Sequence, residues 1–194
     1  MKRREALKNI GLSAGFVLAT PSIFSLLQSC RSDVATWTPD FLSIDQGIVL
    51  KNLVDVILPK TDIPSATEVN VPEFIDKYLN EVTSIEDQSE IKKAYDILIA
   101  IIKSDYNEDL SKLTEDDYKN LLDTKMNLPK DEIYSEDSTE ITTSQLLNSI
   151  KGFSIYAYRI SETVGETILA YDPVPGAAYC GDLQELTGGK SWSL

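Results

Sequence analysis

The sequence has no histidine and only two cysteines among 194 residues, and its 18 basic side chains are outnumbered by 31 acidic ones. Without an imidazole, the chain cannot build a Ser-His-Asp or Cys-His catalytic group, or a zinc or haem site held by its own histidine. Two thiols cannot furnish a four-cysteine or iron–sulfur site. A net charge of −13 argues against nucleic acid, because a phosphate backbone is neutralised by Lys and Arg. Strand signals are scarce as well: hairpin dipeptides flanked by alternating runs are missing, as is a glycine-rich nucleotide loop. Gly188-Gly189-Lys190 lacks the upstream strand and spacing of a phosphate loop. What remains is an acidic domain with a core of ordinary size, which is either non-catalytic or reliant on carboxylates and tyrosine.

The first thirty residues read as an export signal. Met1 to Leu7 is basic, and Ile10 to Leu27 is mostly apolar with small residues and Pro21, the n-region and h-region plan. Ser13, Gly15, Thr20, Pro21, Ser22 and Ser25 interrupt the apolar run, which falls short of the roughly 20 apolar residues of a membrane span. Arg3-Arg4 resembles the pair of a twin-arginine signal, which serves export of folded proteins, although Ala6 and Leu7 stand where the strict pattern favours Phe; a general secretion signal is the alternative. Leu27-Gln28-Ser29-Cys30 resembles a lipobox, whose cysteine is acylated and becomes the first mature residue. The domain plan expected is therefore a signal peptide at 1–29, a lipidated tether at 30–40 that includes Trp37, and a helical domain at 41–194. Cleavage removes Lys2, Arg3, Arg4, Lys8 and Glu5, leaving 14 basic and 30 acidic side chains and a net charge of −16. Cys180 is then left without an intrachain partner, either buried or shielded in an interface.

The mature chain is expected to be all-α, a single compact helical domain of about five helices. Ser43 caps a helix with Ile44, Ile48, Leu50, Leu53, Val54 and Ile57 at helical spacing, ended by Pro59. Pro72 opens a short helix carrying Phe74, Ile75, Tyr78 and Leu79. Thr83 and Glu86 suggest a capping box ahead of Ile91, Tyr95, Leu98, Ile99 and Ile102. Thr114, followed by Glu115, Asp116 and Asp117, starts another helix. Pro129 to Glu140 is a charged connection. From near Thr143 a last stripe, Leu146, Ile150, Phe153, Ala157, Ile160, Val164 and Ile168, runs for about six turns.

No active site emerges from the residues alone. Carboxylate pairs such as Glu86-Asp87, Asp116-Asp117 and Asp131-Glu132 suit solvated helix starts better than acid–base work. Tyr156, Tyr158, Arg159 and Tyr171 gather around the last helix, where half-buried packing is the default. Calcium would need a regular acid spacing around a central glycine, which is missing.

Two separated segments carry a family likeness. Val54-Asp55-Val56-Ile57-Leu58-Pro59-Lys60-Thr61-Asp62-Ile63-Pro64-Ser65-Ala66, followed by Val71-Pro72-Glu73-Phe74-Ile75-Asp76, resembles the gluconate 2-dehydrogenase subunit 3 family. The closing stretch Tyr171-Asp172-Pro173-Val174-Pro175-Gly176, with Tyr179, Gly181, Gly189-Lys190 and Trp192-Ser193, is similar to that family's end. Ser65 replaces a usual glycine, and Cys180-Gly181 inverts a usual Gly-Cys, so a role of the family cysteine is not carried onto Cys180.

The resemblance implies a non-catalytic small subunit with no catalytic residue, cofactor or metal site of its own. It also implies a partner, an FAD-dependent flavoprotein of the glucose-methanol-choline type acting on sugars or sugar acids, and a cytochrome c that takes the electrons. The small subunit would escort its folded partner and hold it at the periplasmic side of a bacterial membrane through lipid at Cys30. Thr61, Asp62, Pro64, Tyr171, Asp172, Pro173, Pro175, Gly176 and Trp192 are the expected docking residues, since prolines preset their loops and lower the entropy lost on binding. The alternatives are that these prolines only turn the chain, that the protein is a free-standing envelope lipoprotein binding a solute or protein, or that it is an autonomous carboxylate enzyme.

Overall fold

The computed structural model describes residues 37–126, 140–174 and 181–193. Five helices of eleven or more residues and one short one carry the fold: α1 Ile44–Ile57, α2 Val71–Glu81, α3 Ile85–Asp105, α4 Glu115–Lys125, α5 Thr143–Ile160 and α6 Leu183–Thr187. Short 3₁₀ turns at Thr67–Val69 and Leu110–Lys112 link them, and a π turn at Val164–Ile168 follows α5. Among the described residues there is no strand, only an isolated parallel bridge between Ala170 and Trp192. The protein is all-α, and none of these helices is long and apolar enough to cross a membrane.

Helix starts are set by short polar side chains. Ser43 with Gln46, Thr114 with Asp117 and Thr142 with Gln145 form reciprocal capping boxes, each satisfying two backbone donors left over at a helix start. Thr83 is not the cap of α3. Ser84 is, accepting from the Asp87 amide at 3.2 Å. The Thr83 carbonyl instead accepts from Gln88 Nε2, which also reaches the Leu79 and Asn80 carbonyls and so closes the end of α2.

Helix α5 lies at the centre of the packing, touching α1, α2, α3 and α4. Its inner face is Leu146, Leu147, Ile150, Ser154, Ala157 and Tyr158, and the small Ser154 and Ala157 let neighbours approach. Leu50, Leu53, Val54, Val71, Leu98, Ile102 and Leu121 complete a fully buried core. The expected six-turn stripe does not persist. Ser161 turns extended (ψ 140°) and ends α5; its hydroxyl donates to the Tyr158 carbonyl at 2.8 Å, and its own carbonyl accepts from Gly165 at 2.8 Å. Ile160 is consequently exposed, while Val164 is buried from the next turn. The face of α1 also differs in detail: Ile44 is exposed, and Gln46 and Val49 are buried. Gln46 is satisfied by Asp96 Oδ1 at 2.8 Å.

Tyr95 is buried with no hydrogen-bond partner for its hydroxyl among the described residues. Burial pushes its phenol well above the ordinary tyrosine value, and the nearby Asp76 charge adds to the shift. An unpaired buried hydroxyl costs about 1–3 kcal/mol, so Tyr95→Phe is expected to leave thermal stability unchanged or raise it by that order. A clear drop in melting temperature would refute this.

Exposed turns show the same economy of caps. Asp109 accepts from the Ser111 hydroxyl at 2.6 Å and its amide at 3.1 Å, and pairs with Lys112 at 3.0 Å. The Ser111 hydroxyl first, then Lys112, pull its carboxyl down to about 2. A value below the ordinary one means these contacts favour the folded chain above the normal carboxylate range and fade as pH falls toward 2. An NMR titration of Asp109 should therefore show a depressed midpoint that Ser111→Ala moves upward. An unchanged midpoint would reject the hydroxyl as the main cause.

Candidate docking surface

The first motif segment is built around α1's exit. Pro59 cannot continue the helix, and Leu58 leaves it with its carbonyl accepting from Ala66 at 3.0 Å. Asp55, on the last turn of α1, spans the loop: it accepts from the Thr67 amide at 2.9 Å and from its hydroxyl at 2.6 Å. Ser65 and Glu68 bond reciprocally, amide to carboxylate at 2.9 Å and amide to hydroxyl at 3.4 Å. Lys60 pairs with Glu68. The Lys60 ammonium first, then the Ser65 amide, lower the Glu68 carboxyl. No left-handed backbone falls at Ser65; the positive φ is at Asn70 (59°), a residue that tolerates it. Ser65 therefore needs no glycine-like backbone, and its hydroxyl accepts from the Glu68 amide.

Two further pins are tertiary. The Tyr158 hydroxyl on α5 donates to the Pro64 carbonyl at 2.7 Å. Asp76, almost fully buried on α2, accepts from the amides of Asp40 at 2.7 Å, Phe41 at 3.3 Å and Leu42 at 2.9 Å. The carboxylate that closes the first motif therefore holds the chain's entrance to α1, where Lys92 also covers the Phe41 ring at 4.2 Å.

The closing segment returns to the same helix. Ala170 donates to the Ser191 carbonyl at 2.9 Å and accepts from the Ser193 amide at 3.0 Å. Arg159 Nη2 donates to the Ser191 hydroxyl at 3.2 Å. Neighbouring residues of α5 thus hold both motif segments, Tyr158 the first and Arg159 the second. Gly188 and Gly189, both at positive φ, turn the chain from α6 into this bridge.

Of the residues expected to dock, Thr61 and Asp62 are exposed, and Pro64 is half-buried by its bond to Tyr158. Tyr171, Asp172, Pro173 and Trp192 are exposed, and Asp172 accepts from the Val174 amide at 3.3 Å. Tyr171, Asp172, Lys190 and Trp192 line an open cleft of about 400 Å³. Pro175 and Gly176 lie outside the described residues, as do Arg3, Arg4, Cys30, Cys180 and most of the Pro129–Glu140 connection. The tyrosines near α5 do not share one half-buried environment: Tyr158 is buried, whereas Tyr156 and Tyr171 stand exposed.

A second cleft, about 410 Å³, lies beside the first motif between α1 and α4, lined in part by Asn52, Asp55, Lys60, Glu115 and Tyr118. Its charges are engaged, Asp55 on Thr67, Lys60 on Glu68 and Glu115 on Lys119. No group of three or more Asp, Glu, Cys or His side chains able to hold a metal ion occurs among the described residues.

The two motif segments are loops of a helical domain, held from within by Asp55, Asp76, Tyr158 and Arg159, with Thr61, Asp62, Tyr171 and Trp192 exposed. The match to the gluconate 2-dehydrogenase subunit 3 family spans residues 44–176. The chain belongs to that family, whose members are subunits of a dehydrogenase complex. The matched span contains the first motif and Tyr171-Asp172-Pro173-Val174-Pro175-Gly176; α6 and Trp192 lie beyond it. Neither the comparison with curated proteins nor that with solved structures found a match.

Proposed function

We propose that this chain is the non-catalytic small subunit of a membrane-anchored FAD-dependent dehydrogenase of the glucose-methanol-choline type, acting on sugars or sugar acids. The family match over residues 44–176 carries the reading. The absence of histidine from all 194 residues supports leaving proton and electron chemistry to the partner. Arg3-Arg4 and Cys30 supply the rest: a twin-arginine signal suits export of a partner already folded around its flavin, and acylation at Cys30 holds the assembly at the periplasmic face of the membrane. Multiple acyl chains anchor stably where one binds only reversibly. A cytochrome c subunit takes the electrons onward.

Deletion and complementation test this. Dye-coupled oxidation of sugars or sugar acids by membranes should vanish when the chain is deleted and return with the wild-type chain. Cys30→Ala should shift that activity to the soluble fraction. Membrane activity indifferent to the deletion would contradict the proposal.

A further inference from the structure

We infer that the outer face of α5's C-terminal half is the surface that seats the dehydrogenase subunit, and that Arg159 receives a carboxylate of that subunit. The inference rests on the proposed accessory role and adds the surface and its chemistry.

Gly152, Ile155 and Arg159, and likewise Gly152, Tyr156 and Ile160, are spaced three or four residues apart, so all five share one side of the helix. On that side Ile155 is 40% exposed, Tyr156 54% and Ile160 40%, with Trp192 at 38% on the bridge held by Arg159. Isolated apolar residues on a surface mean little, but a contiguous group with an aromatic and an arginine has the composition of an interface centre.

The family match supplies the occupant, a dehydrogenase subunit, and charge the group it presents. Six lysines, Lys60, Lys93, Lys103, Lys112, Lys119 and Lys125, are each paired with a carboxylate of this chain. Lys51, Lys77, Lys92, Lys151 and Lys190 make no ion pair among the described residues, so it is the apolar setting and the planar fork, not the lack of a pair, that set Arg159 apart. Arg159 is the sole arginine after Arg31, and among the described residues its partner is the neutral Ser191 hydroxyl. In a chain of net charge −13, a guanidinium left to a hydroxyl beside apolar side chains is complementary to an acidic group on another protein. Its fork geometry suits a carboxylate.

Gly152 gives an independent indication. Glycine weakens a helix interior, and here a Cβ would meet nothing within 4 Å. The chain's own packing does not require the missing side chain. Its absence lets a partner's backbone come close beside Tyr156.

The test uses the complex isolated from membranes through a tag on the full chain. It compares wild type with Arg159→Glu, Gly152→Ala and, as a charge-reversal control on α1, Lys51→Glu. Wild type and Lys51→Glu should retain the flavin-containing subunit equally. Arg159→Glu should retain at least tenfold less. Gly152→Ala should retain less although the isolated variant melts at a higher temperature than wild type, an opposition that a merely structural role does not produce. Equal retention by wild type, Arg159→Glu and Gly152→Ala would overturn the surface while leaving the accessory role intact. No retention by wild type would overturn both. Loss of self-association by Arg159→Glu, with flavoprotein retention intact, would make the occupant a second copy and also overturn the inference.

Discussion

Replacing Asp76 with alanine should destabilise the domain by roughly 3–5 kcal/mol, because hydrogen bonds to a charged group contribute about 1.5–3 kcal/mol each and are not additive. The carboxylate serves three consecutive amides, those of Asp40, Phe41 and Leu42, from a site only 1% exposed. Removing it leaves those donors facing a space that water fills poorly. It also releases the chain just before the Ser43 cap, so α1 loses its entrance as well as its acceptor. For a domain of this size, about 2–4 °C per kcal/mol makes the expected fall in melting temperature around 10 °C. Asp76→Asn keeps one carbonyl acceptor and turns an amide donor toward donors, and should fall between wild type and alanine. Asp62, exposed on the motif loop, provides the contrast: Asp62→Ala should change stability by no more than about 0.5 kcal/mol. Equal melting temperatures for the two alanine variants would remove Asp76 from this role.

Leu147→Ala should be as damaging by a different route. Leu147 is 0% exposed on the helix that touches all four other long helices, so its loss opens a cavity that no single neighbour can close. Leucine truncations of this kind cost about 2.7–5 kcal/mol, the upper end where the surroundings cannot relax. Val82→Ala, at an exposed position, should remain near wild type. Thermal or urea unfolding of the three proteins would decide the matter. A small effect at Leu147 would mean that the α5 interface repacks freely and that α5 is not the keystone of the fold.

These two residues also separate what sequence alone reveals from what it leaves out. The helical period places Leu146 and Ile150 on the inner face of α5, and Ser43 and Thr114 announce their helices through local chemistry complete within four residues. Thr83-Glu86 and Ser84-Asp87 are the same signal one residue apart. The structure takes the second, with the Ser84 hydroxyl on the Asp87 amide and Gln88 reaching back to the Thr83 carbonyl. Ser161, whose hydroxyl turns back to the Tyr158 carbonyl, ends α5 inside an apolar stripe, and a continuous reading of that stripe passes over it.

The candidate surface was less accessible. The motif residues could be found as a pattern, yet the partners of Asp76 lie 34 to 36 positions away, that of Tyr158 lies 94 away and that of Arg159 lies 32 away. No local rule links such pairs. Asp55, Asp76 and Tyr158 turn inward to hold the loops, whereas Thr61, Asp62, Tyr171 and Trp192 remain outside. The motif therefore mixes residues that shape the loops with residues free to meet another protein.

The most direct measurement is the native mass and absorbance spectrum of whatever the full-length tagged chain carries from mildly solubilised membranes. An assembly larger than this 21.6 kDa chain, containing a second polypeptide and bound flavin, is the predicted result. A lone, colourless chain at its own mass, recovered from membranes that retain active sugar or sugar-acid dehydrogenase, would contradict the assignment as an accessory subunit.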